Sequence, residues 1–66
     1  MNGKALDWKE AENILHKNGF FRHRTNGSHA IYKDDSGRTV TITVGKPLSQ
    51  KTWKRECKKN GIREDI

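Results

Sequence analysis

"RTNGSHAIYK", residues 24–33, decides how the middle of this chain folds. Asn26-Gly27 stands between two runs of β-prone residues. Asn-Gly is the strongest short hairpin signal, because a type I′ turn needs positive φ at both central residues. The turn predicts antiparallel strands over Phe20–Thr25 and Ser28–Lys33. It also predicts their register: Thr25 opposite Ser28, Arg24 opposite His29, His23 opposite Ala30, Arg22 opposite Ile31 and Phe21 opposite Tyr32.

Outward from this hairpin, "DDSGR" (34–38) is a second turn, leading into a third strand over Arg38–Val44. A four-residue loop would pair Lys33 with Arg38. A three-residue loop with Gly37 as the bulge residue would pair Asp34 with Arg38. A one-residue slip flips every side chain, so alternation chooses between them. The bulged register sets Tyr32 opposite Val40, Ala30 opposite Ile42, Ser28 opposite Val44 and His29 opposite Thr43. One face then carries Phe21, Ala30, Tyr32, Val40, Ile42 and Val44, with His23 and Thr25 toward its edge. The other carries Arg22, Arg24, His29, Ile31, Lys33, Thr39, Thr41 and Thr43.

Helices flank the strands. Asp7 and Glu10 form an Asp-x-x-Glu capping pattern, and Trp8, Ala11, Ile14 and Leu15 recur at helical spacing. Gly19 ends that helix, and Phe20 folds back over its last turn. Ser49 caps a second helix that places Trp53 and Cys57 on one face and stops at Gly61. Both endings read Lys-Asn-Gly-apolar, "KNGF" and "KNGI". The order α-β-β-β-α, with both helices covering the apolar sheet face, is an α+β fold. The other sheet face stays open and cationic.

The 66 residues suit one domain, 1–66, and 30% hydrophobic content allows only a thin core. An enclosed organic cofactor is not expected. One cysteine rules out an internal disulfide. No apolar run is long enough for a bilayer span, and the N-terminus lacks a signal-peptide core, so cytoplasmic location without membrane contact is expected. A net charge of +6 favours a polyanionic partner, nucleic acid first.

His29 is the candidate catalytic group. It lies on the open face, with Arg24 expected opposite it on one side and Thr43 on the other. A neighbouring cation favours neutral imidazole, the form a general base needs, and the same cations hold a phosphate. Arg22 and Lys33 extend the patch. His23 is expected to be partly buried and hydrogen-bonded, and His16 to face solvent. One Cys and three scattered His give no zinc cluster, and no acidic ligands fall on the cationic face, so no metal is expected.

The stretch "GFFRHRTNGSHAIYKDDSGRTVTI", followed by "KTWKRECKKNGI", resembles the HicA family of toxins from bacterial toxin–antitoxin pairs. The resemblance is carried by Gly19-Phe20, Arg24, Gly27-Ser28-His29, Ile31-Tyr32, Gly37-Arg38, Val40-Thr41, Thr52-Trp53-Lys54 and Gly61-Ile62. It implies a fold like the double-stranded-RNA-binding domain and a ribonuclease that inactivates mRNA. It implies His29 as the catalytic residue, with Gly27 and Ser28 at the RNA beside it. It also implies a cognate HicB-like antitoxin that covers the site. Ala30 stands where many relatives have a second His or a large apolar residue. Pro47 in "TVGKPLSQ" is displaced from its usual place, which leaves Lys46 as the phosphate contact of that loop. The expected activity is metal-independent RNA cleavage by a chain that is monomeric when free. The alternative is a non-catalytic RNA-binding module using Arg22, Arg24 and Lys33. A DNA-binding regulator ranks third, for want of a recognition helix.

Overall fold

The computed structural model describes residues 6–65. Among them the order is α1 (Trp8–Lys17), β1 (Phe21–Asn26), β2 (His29–Lys33), β3 (Thr39–Thr43) and α2 (Gln50–Asn60). The strands form one antiparallel sheet in the order β1-β2-β3. Ala11 and Leu15 of α1 and Trp53 and Cys57 of α2 join Phe20, Ala30, Tyr32, Val40, Ile42 and Ile62 in one buried cluster. Both helices therefore cover the same sheet face, as the alternation predicts. Trp8 is only half-buried.

The helix ends follow from their caps. Asp7 accepts from the Lys9 N–H at 3.1 Å, one residue short of the expected Glu10 contact. Ser49 accepts from the Thr52 N–H. At the C-terminal ends, the Phe20 N–H donates to the Leu15 carbonyl and the Ile62 N–H to the Cys57 carbonyl, each at 2.8 Å. That bond folds the apolar residue after each glycine back over its helix, the Schellman arrangement. Asn18 then joins the two ends. Its amide donates to the carbonyls of Ile14 and Arg63 at 2.7 and 2.9 Å, and its oxygen accepts from the Arg63 N–H at 2.8 Å. The segments leading into the helices are joined as well, by paired backbone bonds between Leu6 and Leu48.

The β2–β3 register is the expected one, with His29 opposite Thr43, Ala30 opposite Ile42 and Tyr32 opposite Val40. Gly37 adopts φ 90°, and the Asp34 N–H donates to the Arg38 carbonyl. The Asp34 carboxylate fixes this turn by accepting from the Ser36 and Arg38 N–H groups and from Arg38 Nε.

The β1–β2 register differs. Asn26 pairs with His29, so the turn is Gly27-Ser28 rather than Asn26-Gly27. Gly27 has φ 63°, and no non-glycine residue has positive φ among the described residues. A turn with its one positive φ on glycine spares Asn26 the left-handed conformation that a type I′ turn would impose. Moving the turn by one residue moves the pairing by two, so Arg24 now faces Ile31 and Thr25 faces Ala30. Each keeps its expected side of the sheet.

A bulge at His23 then changes the parity. Arg22 pairs with Tyr32, and Phe21 pairs with Lys33. Phe21 is thus not core: it is 62% exposed and lies against the His16 ring, with centroids 5.7 Å apart. His23, expected to be partly buried, is exposed at the bulge. Arg22, expected on the open face, crosses to the helix side.

Candidate functional site

His29 opens β2 immediately after the turn, and its side chain is exposed. Its direct cross-strand neighbours are Asn26 and Thr43, both neutral. Arg24, expected directly opposite, stands two pairs along, on the same face, beside Ile31. That diagonal relation separates Cβ atoms by about 7–8 Å, within reach of a long guanidinium arm. Ser28 anchors the turn to the end of β3, its carbonyl accepting from the Val44 N–H at 2.8 Å. The histidine therefore sits on backbone held from both sides.

Lys33 occupies the far end of the same face, between Phe21 and Thr39. Among the described residues, none of Arg24, Lys33 and Lys46 enters an ion pair. Their charges stay available to an anion.

Arg22 is committed elsewhere. Its guanidinium lies 2.6 Å from Glu12 Oε2, and the Tyr32 hydroxyl donates to the same oxygen at 2.5 Å. The bond from Tyr32 foremost, with Arg22 behind it, holds the Glu12 carboxyl below its ordinary range, against the opposing effect of burial. Burial, reinforced by Glu12, pushes the Tyr32 phenol up to about 12. Arg22 thus acts on the helix–sheet junction, not on the open face.

Beside His29 a cleft of about 520 Å³ opens between the β3 edge and α2. Its rim includes Ser28, His29, Thr43, Lys46, Thr52 and Glu56. Sequence reasoning placed Lys46 as a phosphate contact without fixing where it lay. It gave Thr52 no role beyond its place in the Thr52-Trp53-Lys54 resemblance, and it passed over Glu56 altogether. The signal was present: Ser49, Thr52 and Glu56 recur at helical spacing beside the Trp53–Cys57 stripe. Cys57 itself is buried in the core, and burial pushes its thiol up to about 11. Among the described residues, no three His, Cys, Asp or Glu side chains converge as metal ligands. No helix there is long and apolar enough to cross a membrane.

Taken together, the fold and the face define a small basic α+β protein with an exposed histidine at the mouth of a cleft of mixed polar and apolar lining. The model of the family described as "HicA toxin of bacterial toxin-antitoxin" matches residues 8–62. The chain belongs to that family and is the toxin of a toxin–antitoxin pair, which implies an antitoxin as its partner. No curated protein and no solved structure matches the chain.

Proposed function

We propose that this toxin is an endoribonuclease that cleaves mRNA in the cytoplasm, with His29 as its acid–base group. One observation carries the reading. An exposed histidine on a doubly held turn shares a cleft with Lys46, on a sheet face where Arg24 and Lys33 are also unpaired. His29 takes the proton of a ribose 2′-hydroxyl. The freed oxygen attacks the adjacent phosphorus, the bond to the 5′-oxygen breaks, and that oxygen takes a proton from solvent or from His29. The products are a 2′,3′-cyclic phosphate and a 5′-hydroxyl. Lys46 offsets charge gathering on the phosphoryl oxygens, as preorganised cations do. Arg24 and Lys33 hold the strand on either side, with Gly27 and Ser28 letting the RNA backbone approach closely. The step uses no metal ion.

The free chain is monomeric in this reading. Its antitoxin, HicB-like and acidic where it docks, covers the open face, since a +6 body is steered toward acidic partners. The test is single-stranded RNA incubated with the purified toxin in EDTA, beside the His29→Ala variant. Cyclic-phosphate ends from the wild type alone are expected. Equal cleavage by the variant, or intact RNA with the folded wild type, would overturn the assignment. Intact but bound RNA would favour a non-catalytic RNA-binding module on the same face.

A further inference from the structure

The cleft beside His29 holds a group that acid–base chemistry at the histidine leaves unused. Glu56 is half-buried on α2 and lines the cleft together with His29 and Lys46. Among the described residues, no ion pair and no side-chain hydrogen bond engages its carboxylate. Glu12, Asp34 and Glu64, by contrast, each hold a cation. A carboxylate left free inside a cleft on a basic protein is placed to accept from something that enters.

The cleft has the size and lining of a small-ligand site. Its 520 Å³ falls within the ~300–1,000 Å³ common for such sites. Ile42, Leu48 and Trp53 supply apolar wall, and the Thr43 and Thr52 hydroxyls supply adaptable polar contacts. A flat heterocycle fits this combination. Sequence-specific RNA recognition commonly takes unstacked bases into such places and reads their Watson–Crick edges.

We infer that this cleft is a nucleobase subsite selecting guanine, with Glu56 as the residue that reads it. The inference rests on the ribonuclease reading for its place beside a scissile phosphate. An ionised carboxylate only accepts hydrogen bonds and offers two oxygens. Guanine presents N1–H and an N2 amino group side by side, two donors for two acceptors. Adenine and cytosine set one amino donor beside a ring acceptor. Uracil sets its single N–H between two carbonyls. Each of these three brings an acceptor against the carboxylate. Lys46 and His29, on the rim of the same cleft, would then meet the phosphate attached to the bound nucleotide.

The test separates base recognition from cleavage. The four 5′-mononucleotides are titrated into the isotopically labelled toxin and followed by NMR. GMP is expected to shift the amides of Thr43, Thr52 and Glu56 and to bind roughly tenfold tighter than AMP, CMP or UMP, the factor one well-placed bidentate pair supplies. Inosine monophosphate, which lacks the N2 amino group, is expected to lose most of that preference on the unaltered protein. Glu56→Gln should abolish it while its spectrum stays folded. Equal affinities for the four nucleotides, shifts confined to other residues, or a guanine preference intact in Glu56→Gln would overturn the inference, whether or not RNA is cut. Loss of RNA cleavage in His29→Ala with the preference for GMP over AMP, CMP and UMP retained, whatever the change in overall affinity, would support both readings separately.

Discussion

Removing the Glu12 carboxylate tests the junction between α1 and the sheet. Tyr32 is fully buried, and its hydroxyl donates to Glu12 Oε2 at 2.5 Å while Arg22 shares that oxygen at 2.6 Å. In Glu12→Ala the tyrosine keeps only a long contact from Arg22, at 3.4 Å. A hydrogen bond to a charged partner is worth about 1.5–3 kcal/mol, and the Arg22 pair, being partly exposed, adds at most about 1 kcal/mol. The expected loss is about 2–3 kcal/mol, or roughly 10–20 °C in Tm for a domain of this size. Tyr32→Phe removes the same charge-assisted bond but leaves Glu12 paired with Arg22, and should cost about 1.5–2 kcal/mol. The double variant should be no worse than Glu12→Ala, because the two changes remove one shared interaction. The effect has a pH signature. The folded state lowers the Glu12 carboxyl below its ordinary 4.5, so its stabilisation is present above that value and fades as pH falls through the folded one. Thermal melts of wild type and Glu12→Gln should therefore converge in acid. A Glu12→Ala protein that melts with the wild type, or a gap unchanged from neutral to acid pH, would refute this account.

Three further outcomes follow from placement. Arg24→Ala and Lys33→Ala should each flatten the salt dependence of RNA binding by roughly 0.7 in log–log slope, whereas Arg22→Ala should leave the slope alone and lower stability instead. Gly27→Ala, forced to φ near 63°, should cost about 1–2 kcal/mol in denaturant titrations and shift the NMR signals of His29. The Cys57 thiol, pushed up to about 11, should resist alkylation at mildly alkaline pH until denaturant unfolds α2, and prompt labelling of the native protein would contradict its burial.

Much of the fold was legible in the sequence, and the misses have local causes. Val40 and Ile42 alternate so regularly against Tyr32 and Ala30 that one register of β2 and β3 buries them all. The first hairpin offered no such constraint. Arg22, His23 and Arg24 carry no apolar alternation, so nothing in β1 penalises a bulge. Asn26-Gly27-Ser28 supports two different turns, and the strain-free choice puts positive φ on glycine alone. Arg24 kept its expected face because the displaced turn preserves parity. Arg22 lost its face because the bulge does not. Glu56 was overlooked because the residues that share its cleft, Lys46 and Thr43, come from elsewhere in the chain, and only the packing of α2 beside β3 brings them together.

The Asn18–Arg63 link joins residues 45 apart in the chain, whereas the hairpin turns join near neighbours. Closing so long a loop costs about 2–3 kcal/mol more than closing a tight turn. Folding should therefore run from the middle outward. The hairpins form first, α1 and α2 dock on them, and the asparagine clasp shuts once the helices are in place. By the same reasoning the clasp is the first part to open, and amide exchange near Arg63 should report a low-energy excursion in which the sheet stays intact. Opening there would free the end of α2, and with it the wall of the cleft that carries Glu56. The seam that finishes the fold would then also set how often that wall can give way.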